Sequence, residues 1–345
     1  MEVLRALRTR QPDLALAIRT PVPRWFFELG LPGAFTHAEC RLDIGAVQRD
    51  SLSVDPDATL CAYAEIVAQR EELIGNEVNE VGRARPALVF ADIPALAFDI
   101  AARLSVPAVA MTNFSWDWIY ADYVADFARY APIVDHLRRS YAHADLLLRL
   151  PLHGDLSAFA TIRDIPLVAR TATLTRADVC QRLGLSPADR HVLLSFGGIG
   201  IALAAAPAAP ARVTFIATQS ATPQREPSGC RFISNVQMAA AGVRYEDLVA
   251  ACDVVMTKPG YGIVSDCIAN GTPMLYTSRG RFAEYACLVD GITAHLPHAF
   301  ISNEDLYAGR WTTALDAVLA QPRRQPTVDC SGAAVAADAL WSFLR

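Results

Sequence analysis

Lysine is almost missing from this chain: of 31 basic residues among 345, thirty are arginine and Lys258 is the only lysine. No block of basic charge compensates, because 36 acidic residues are interspersed and the net charge is −5. That balance excludes a surface built to neutralise a nucleic-acid backbone. Apolar stretches such as Ile201 to Ala211 fall short of a membrane span or are broken by proline. The arginine-spaced N-terminus has no cleavage signal. The eight cysteines (40, 61, 180, 230, 252, 267, 287 and 330) include no C-x-x-C pair and no histidine at ligand spacing. They read as reduced thiols of a cytoplasmic protein, with no metal or other cofactor expected.

What is present is apolar mass. Hydrophobic residues make up 52% and charged residues 19%, enough for two cores in a chain too long for one. Short apolar runs alternate with helically spaced segments, so the expected class is α/β, with two Rossmann-like parallel-sheet domains facing a cleft. Strands are predicted at Leu14 to Arg19, Ala87 to Phe90, Ala108 to Thr112 and Leu146 to Leu150, with helices over Ala58 to Glu80 and Pro94 to Leu104. After a mixed stretch from Pro151 to Thr173, a helix capped by Thr175 and a strand at His191 to Phe196 begin the second half. Further strands are predicted at Val213 to Thr218, Arg231 to Ser234, Asp253 to Met256 and Pro273 to Tyr276. The domains are expected at 1–165 and 166–345, with the last helix, from Ala333, returning to the first domain.

The chain opens on a helical pattern, Val3, Leu4 and Leu7, where a doubly wound domain begins with a central strand. The first strand is therefore expected to be absent, or to lie upstream of Met1.

Two strand-to-loop junctions carry the chemistry. In Asp253-Val-Val-Met-Thr-Lys-Pro-Gly-Tyr-Gly-Ile-Val-Ser-Asp266, a buried strand runs through Gly260 and Gly262 into a helix. Helix-start amides suit a diphosphate, and glycine admits close approach. Lys258 adds a compact charge, unless it is a solvated loop lysine. Ser265 suits phosphate and Asp266 a ribose hydroxyl; Asp266 reads equally as a first-turn acid favoured by the dipole. The second junction is Ser195-Phe-Gly-Gly-Ile-Gly200, where Gly197, Gly198 and Gly200 are either a second anion cradle or a tight turn. Glu284 suits sugar hydroxyls, or is another dipole-favoured acid. In the first half, Asn113, Trp116, Asp117 and Tyr120 form either an acceptor pocket or an aromatic plug. Asp92 is either a cleft carboxylate or a cap before Pro94.

At these residues the C-terminal half resembles the nucleotide-sugar domain of GT-B glycosyltransferases, including those that add N-acetylglucosamine to lipid-linked peptidoglycan precursors. Thr112-Asn-Phe-Ser-Trp-Asp-Trp-Ile-Tyr-Ala-Asp-Tyr123, Ile165-Pro-Leu-Val168 and Lys258-Pro-Gly-Tyr-Gly-Ile-Val-Ser-Asp266 are similar to the glycosyltransferase-like N-terminal domain of plant L-arabinokinases and its stand-alone bacterial relatives. The resemblance implies a donor site from Ser195, Gly197, Gly198, Gly200, Lys258, Pro259, Gly260, Tyr261, Gly262, Ser265, Asp266 and Glu284. Tyr285 stands where many relatives have a glutamine for the donor sugar. Relatives also begin with a strand and a Gly-His-Gly loop that often supplies the base, and this chain starts after that point. The expected partners are a nucleotide-diphosphate-sugar, uridine-based, and an unidentified acceptor, with Asp92 or Asp117 as base. The expected reaction is an inverting transfer; the alternative is a nucleotide-sugar-binding module without transferase activity.

Overall fold

A computed structural model describes residues 1–50, 52–197, 212–218 and 230–344. The first stretch of chain contains α1 (Glu2–Arg10), β1 (Ala17–Arg19), α2 (Arg24–Glu28), β2 (Thr36–Ala38), α3 (Pro56–Ala68), α4 (Arg70–Gly82), β3 (Val89–Ala91) and α5 (Leu96–Leu104). It continues through β4 (Ala108–Thr112), α6 (Trp116–Val124), α7 (Ala131–Tyr141), β5 (Leu146–Arg149) and β6 (Ile162–Asp164). Then follow α8 (Arg176–Leu183), β7 (Arg190–Ser195), β8 (Val213–Ala217), β9 (Cys230–Phe232), α9 (Asn235–Ala240), α10 (Tyr245–Ala251) and β10 (Val254–Thr257). The remainder is α11 (Tyr261–Asn270), β11 (Met274–Tyr276), α12 (Glu284–His295), β12 (His298–Phe300), α13 (Asn303–Tyr307), α14 (Thr312–Leu319) and α15 (Gly332–Ser342).

Two compact units result. The first comprises Met1–Val47, Asp55–Val168 and Asp329–Arg345, and the second Gln48–Val54 and Ala169–Val328. The chain therefore divides near Val168, returns to the first unit for its last helix, and lends seven early residues to the second.

In the first unit every strand pair within the sheets is parallel, but the strands form two sheets, β1-β2 and β3-β4-β5-β6. The doubly wound order places the first strand of a domain between its second and fourth. Among the described residues, β1 pairs only with β2 and β3 only with β4, so the interruption falls at that central place. One helix layer serves both sheets: Glu77 on α4 accepts from Arg19 on β1, and α4 packs on α5, which covers β3. The single helix predicted over Ala58 to Glu80 is instead α3 and α4, broken at Gln69 (φ −98°, ψ 5°). The break lets α3 pack against α6 and α7 while α4 packs against α5, a tertiary demand that overrides a continuous helical pattern. Helix α15 lies on α1, where Arg10 pairs with Asp338 and sits 5.9 Å from the Trp341 ring. Gly332 allows this return, since a Cβ there would stand 2.1 Å from the Pro166 carbonyl oxygen.

At the carboxyl end of β3 the backbone is strained. Ile93, β-branched and buried, has φ 56°, a conformation that needs support from its surroundings. The buried Tyr141 hydroxyl supplies it, donating to the Ile93 carbonyl at 3.1 Å and accepting from Trp116 N at 3.3 Å.

The second unit is one parallel sheet in the order β12-β11-β10-β7-β8-β9. Counted within the unit this is 6-5-4-1-2-3, the doubly wound order with its reversal between β7 and β10. Val192, Leu194, Phe215, Val254, Met256 and Leu275 supply one core face, closed by Trp311, Leu315 and Val318. Thr175 caps α8 through a reciprocal pair of bonds with Asp178, as its spacing predicts.

Replacing Tyr141 by phenylalanine strands the Ile93 carbonyl and the Trp116 amide in the core. Chemical denaturation is expected to show a loss of about 1–3 kcal/mol; an unchanged midpoint would mean the turn holds itself.

Candidate functional site

The reversal between β7 and β10 sets the geometry. These strands are neighbours, parallel, with Ser195 opposite Thr257, and Thr257 is in turn opposite Tyr276 of β11. The turns after all three strands therefore rise from one edge of the sheet, where open α/β sheets bind ligands. The Thr257 hydroxyl ties two of these turns together, lying within hydrogen-bonding reach of the Ser195 carbonyl and, at 2.8 Å, of the Lys258 carbonyl.

Gly197 takes φ 77°, and among the described residues nothing lies within 4 Å of where a Cβ would stand at Gly197, Gly260 or Gly262. Gly260 caps α11 without a side-chain hydrogen bond, so the start of that helix presents main-chain amides and positive dipole to the space before it. Gly198 and Gly200 lie outside the described residues.

Lys258 is half-buried, and its Nζ donates to Gln48 Oε1 at 3.2 Å. Burial first, then the Arg279 guanidinium, lowers its pKa to about 8, with Asp50 acting in the opposite sense. Arg279 itself donates to Glu284 at 2.7 Å, reaches the Pro259 carbonyl at 3.4 Å and stacks on Phe282, 4.0 Å from the ring centroid. Two cations thus stand by the turn, one predicted and one not. Arg279 was legible only through its place after β11, next to β10 in the sheet. Glu284, 2% exposed, is committed to Arg279.

Asp266 is also buried, and both carboxylate oxygens are taken by Arg170: its backbone N at 3.0 Å on one, its Nε at 3.0 Å and its Nη2 on the other. Ser265 donates to the Gly262 carbonyl at 3.0 Å within the first turn of α11. Arg170 lies 5.4 Å from the ring of Tyr245, whose hydroxyl is 2.6 Å from Ser195 Oγ. Burial pushes the Tyr245 phenol up to about 12, so it stays neutral. A chain of contacts, Asp266 to Arg170 to Tyr245 to Ser195, therefore runs beneath both turns and braces them. Arg170 and Tyr245 carried no local signal.

In the first unit the aromatic run is pinned from several sides. Trp116 Nε1 donates to Asp43 at 2.6 Å, and the buried Tyr120 hydroxyl donates to the Gly45 carbonyl at 2.6 Å. Asn113, also buried, donates to the Leu152 carbonyl at 3.4 Å and accepts from Gly154 N at 2.9 Å. Asp117 accepts from Ser115 Oγ at 2.5 Å and from Arg138 Nε at 3.2 Å, with 3% of its surface exposed. Asp92 is exposed, at the carboxyl end of β3 beside the strained Ile93. Asp43, which carried no signal of its own, has its carboxyl raised by burial, against the bonds from Gly45 N and Trp116.

A surface hollow of about 400 Å³ bordered by Arg182, Arg231, Phe232 and Gln237 lies away from these turns. Its two guanidinium groups donate to the carbonyls of Gly242, Gly184 and Leu183, so it offers structural rather than ligand chemistry.

The order of strands and turns matches solved structures. The glycotransferase of kitacinnamycin superposes with a TM-score of 0.62 at 13% identity, covering 99% of this chain and 94% of that one. VinC, solved with dTDP, gives 0.55 at 16% identity over 99% and 91%. Phytolacca americana UGT2, solved with UDP-2-fluoro-glucose and pterostilbene, gives 0.54 at 9% identity over 99% and 90%. The chain has the GT-B glycosyltransferase fold. No family model matches it. L-arabinokinase of Arabidopsis thaliana is 32% identical over 279 residues, 80% of this chain, so this GT-B chain spans about a quarter (26%) of that relative. No helix among the described residues is long and apolar enough to cross a membrane.

Replacing Arg170 by methionine leaves the Asp266 carboxylate buried beside an apolar stem. Breaking such a pair costs about 3–5 kcal/mol, measurable by chemical denaturation, and the double variant Arg170→Met/Asp266→Leu is expected to recover part of it. A cost under about 1 kcal/mol for the single variant would show the brace to be dispensable.

Proposed function

We propose that this chain is a glycosyltransferase that draws a sugar from a nucleotide-diphosphate-sugar, with uridine as the base, and passes it to an acceptor hydroxyl. The supporting observation is that the Gly197 turn and the Lys258–Gly262 turn follow neighbouring strands at the sheet's reversal point. Main-chain amides, a helix N-terminus, an ammonium and the Arg279 guanidinium are the equipment for a pyrophosphate. The dTDP and UDP-sugar bound to VinC and to the Phytolacca enzyme are the ligand class this equipment suits.

In the proposed step, the acceptor oxygen attacks the anomeric carbon, and the bond from that carbon to the diphosphate oxygen breaks. The diphosphate leaves with the electron pair, and the hydroxyl proton passes to a carboxylate. Loop amides and Lys258 stabilise the charge that grows on the leaving group. Of the two carboxylates predicted as base, Asp92 suits the role better, being exposed at a strand's carboxyl end, whereas Asp117 is only 3% exposed. Ser195 and Asp266 serve in this reading as braces beneath the turns.

A second reading is a nucleotide-sugar-binding module without turnover. The observation favouring it is the similarity to about a quarter of a protein named as a kinase. Release of UDP from UDP-sugars, with and without candidate acceptors, separates the two.

Calorimetry tests the shared premise. UDP is expected to bind, and Lys258→Met to weaken it by 10- to 100-fold, the equivalent of about 1.5–3 kcal/mol for a charge-assisted bond. The pH dependence has a defined sign: Lys258 is charged below about 8 and neutral above it, so affinity falls as pH rises through that value. Lys258→Met removes that alkaline decline. Binding that is indifferent to both would end the proposal.

A further inference from the structure

The strand ends of the second unit carry residues from far earlier in the chain. Gln48–Val54 belongs to this unit although Val47 and Asp55 belong to the other. Gln48 and Val54 form an antiparallel bridge, and the Asp50 carboxylate accepts from Leu52 N and Ser53 N, each at 2.8 Å, closing a small hairpin. Leu52, 3% exposed, is buried among Leu194, Phe196, Met256 and Leu275. Gly280 makes room for it: with φ 73° and no side chain, it leaves the Leu52 carbonyl oxygen 3.1 Å from where a Cβ would stand. A hairpin anchored this deeply is part of the unit, and it brings to the candidate site Gln48, whose Oε1 accepts from Lys258 Nζ at 3.2 Å.

We propose that this hairpin is a working component of the diphosphate site, with Gln48 as the positioning residue that holds the Lys258 ammonium in place for the ligand. The inference rests on the nucleotide-diphosphate reading of that site. Its physical basis is that a lysine carries considerable rotamer entropy on a flexible stem, which a binding site otherwise has to overcome at the moment of binding. An ammonium has three donors, so one amide oxygen and phosphate oxygens can be held together. The chemistry of the partner matters. A carboxylate at position 48 would fix the lysine equally well, yet would repel the phosphates and compete for the charge, whereas a neutral carboxamide orients without opposing. Asp50, the hairpin's own acid, has its carboxylate turned to the Leu52 and Ser53 amides. The charged groups acting on Lys258 are Asp50 and Arg279, and Arg279 is itself paired with Glu284.

The test is UDP calorimetry on the full chain, from neutral to alkaline pH, for the parent and for Gln48→Leu and Gln48→Glu. Gln48→Leu is expected to weaken UDP by about 5- to 10-fold, the loss of one hydrogen bond, and to move the alkaline midpoint of binding downward because the charged amine loses an acceptor. Gln48→Glu is expected to move the midpoint upward, since an opposite charge favours the ammonium, while weakening binding at neutral pH by repulsion. General loosening of the hairpin would lower affinity in both variants with the midpoint fixed, and that result overturns the proposal, as does parental behaviour in both. Failure of UDP to bind the parent, or binding insensitive to Lys258→Met, instead removes the diphosphate reading on which the inference stands.

Discussion

The parallel pairing of β7 with β10, with Ser195 opposite Thr257, is the constraint from which the second unit's chemistry follows. It puts the first and fourth strands of a doubly wound sheet side by side, the place at which open α/β sheets bind their ligands. Most of what stands there comes by way of that pairing: the Gly197 turn from one strand, Lys258 and the start of α11 from the other, and Arg279 from the strand beyond, with Gln48 brought separately by its hairpin. The chain of contacts from the buried Asp266 through the half-buried Arg170 and Tyr245 to Ser195 then links the two turns. A binding site made largely of main-chain groups needs such bracing, because its donors cannot adjust by changing rotamer.

Features that depend on near neighbours in sequence were readable in advance. Strand β4 spans the predicted Ala108 to Thr112, and Thr175 is the predicted cap of α8, joined there by Asp178. The glycines after β10 mark a strand-to-helix turn because only a few residues decide it. Strands β2, β6 and β12 escaped, although the equally short β1, β3, β9 and β11 were anticipated. The split between α3 and α4 escaped because it answers to different packing partners. The functional pairs were the least legible: Arg170 lies 96 residues from Asp266, and Gln48 lies 210 from Lys258. No local pattern announces a contact made across the fold.

The aromatic run of the first unit shows how a specific sequence can encode a scaffold. Trp116 and Tyr120 face back toward Asp43 and Gly45 and fasten the loop that precedes α3. Asn113 fastens the loop around Gly154, where the Trp118 ring fills the space a Cβ would take, 2.2 Å away. Polar tips on apolar rings suit this work, because each ring is buried for packing while its one polar atom fixes a loop in register. At the carboxyl end of β3, Asp92 is exposed beside the strained Ile93.

The near-absence of lysine has a chemical consequence for anyone handling this protein. An acylating reagent that ignores guanidinium groups meets one side-chain amine in the whole chain, and that amine is half-buried with a pKa of about 8. A sizeable fraction is thus uncharged and nucleophilic near neutrality, unlike an ordinary surface lysine. Apart from the α-amino group, covalent tagging is therefore confined to the turn after β10, and the rate of that single modification becomes a gauge of whether the proposed ligand occupies it.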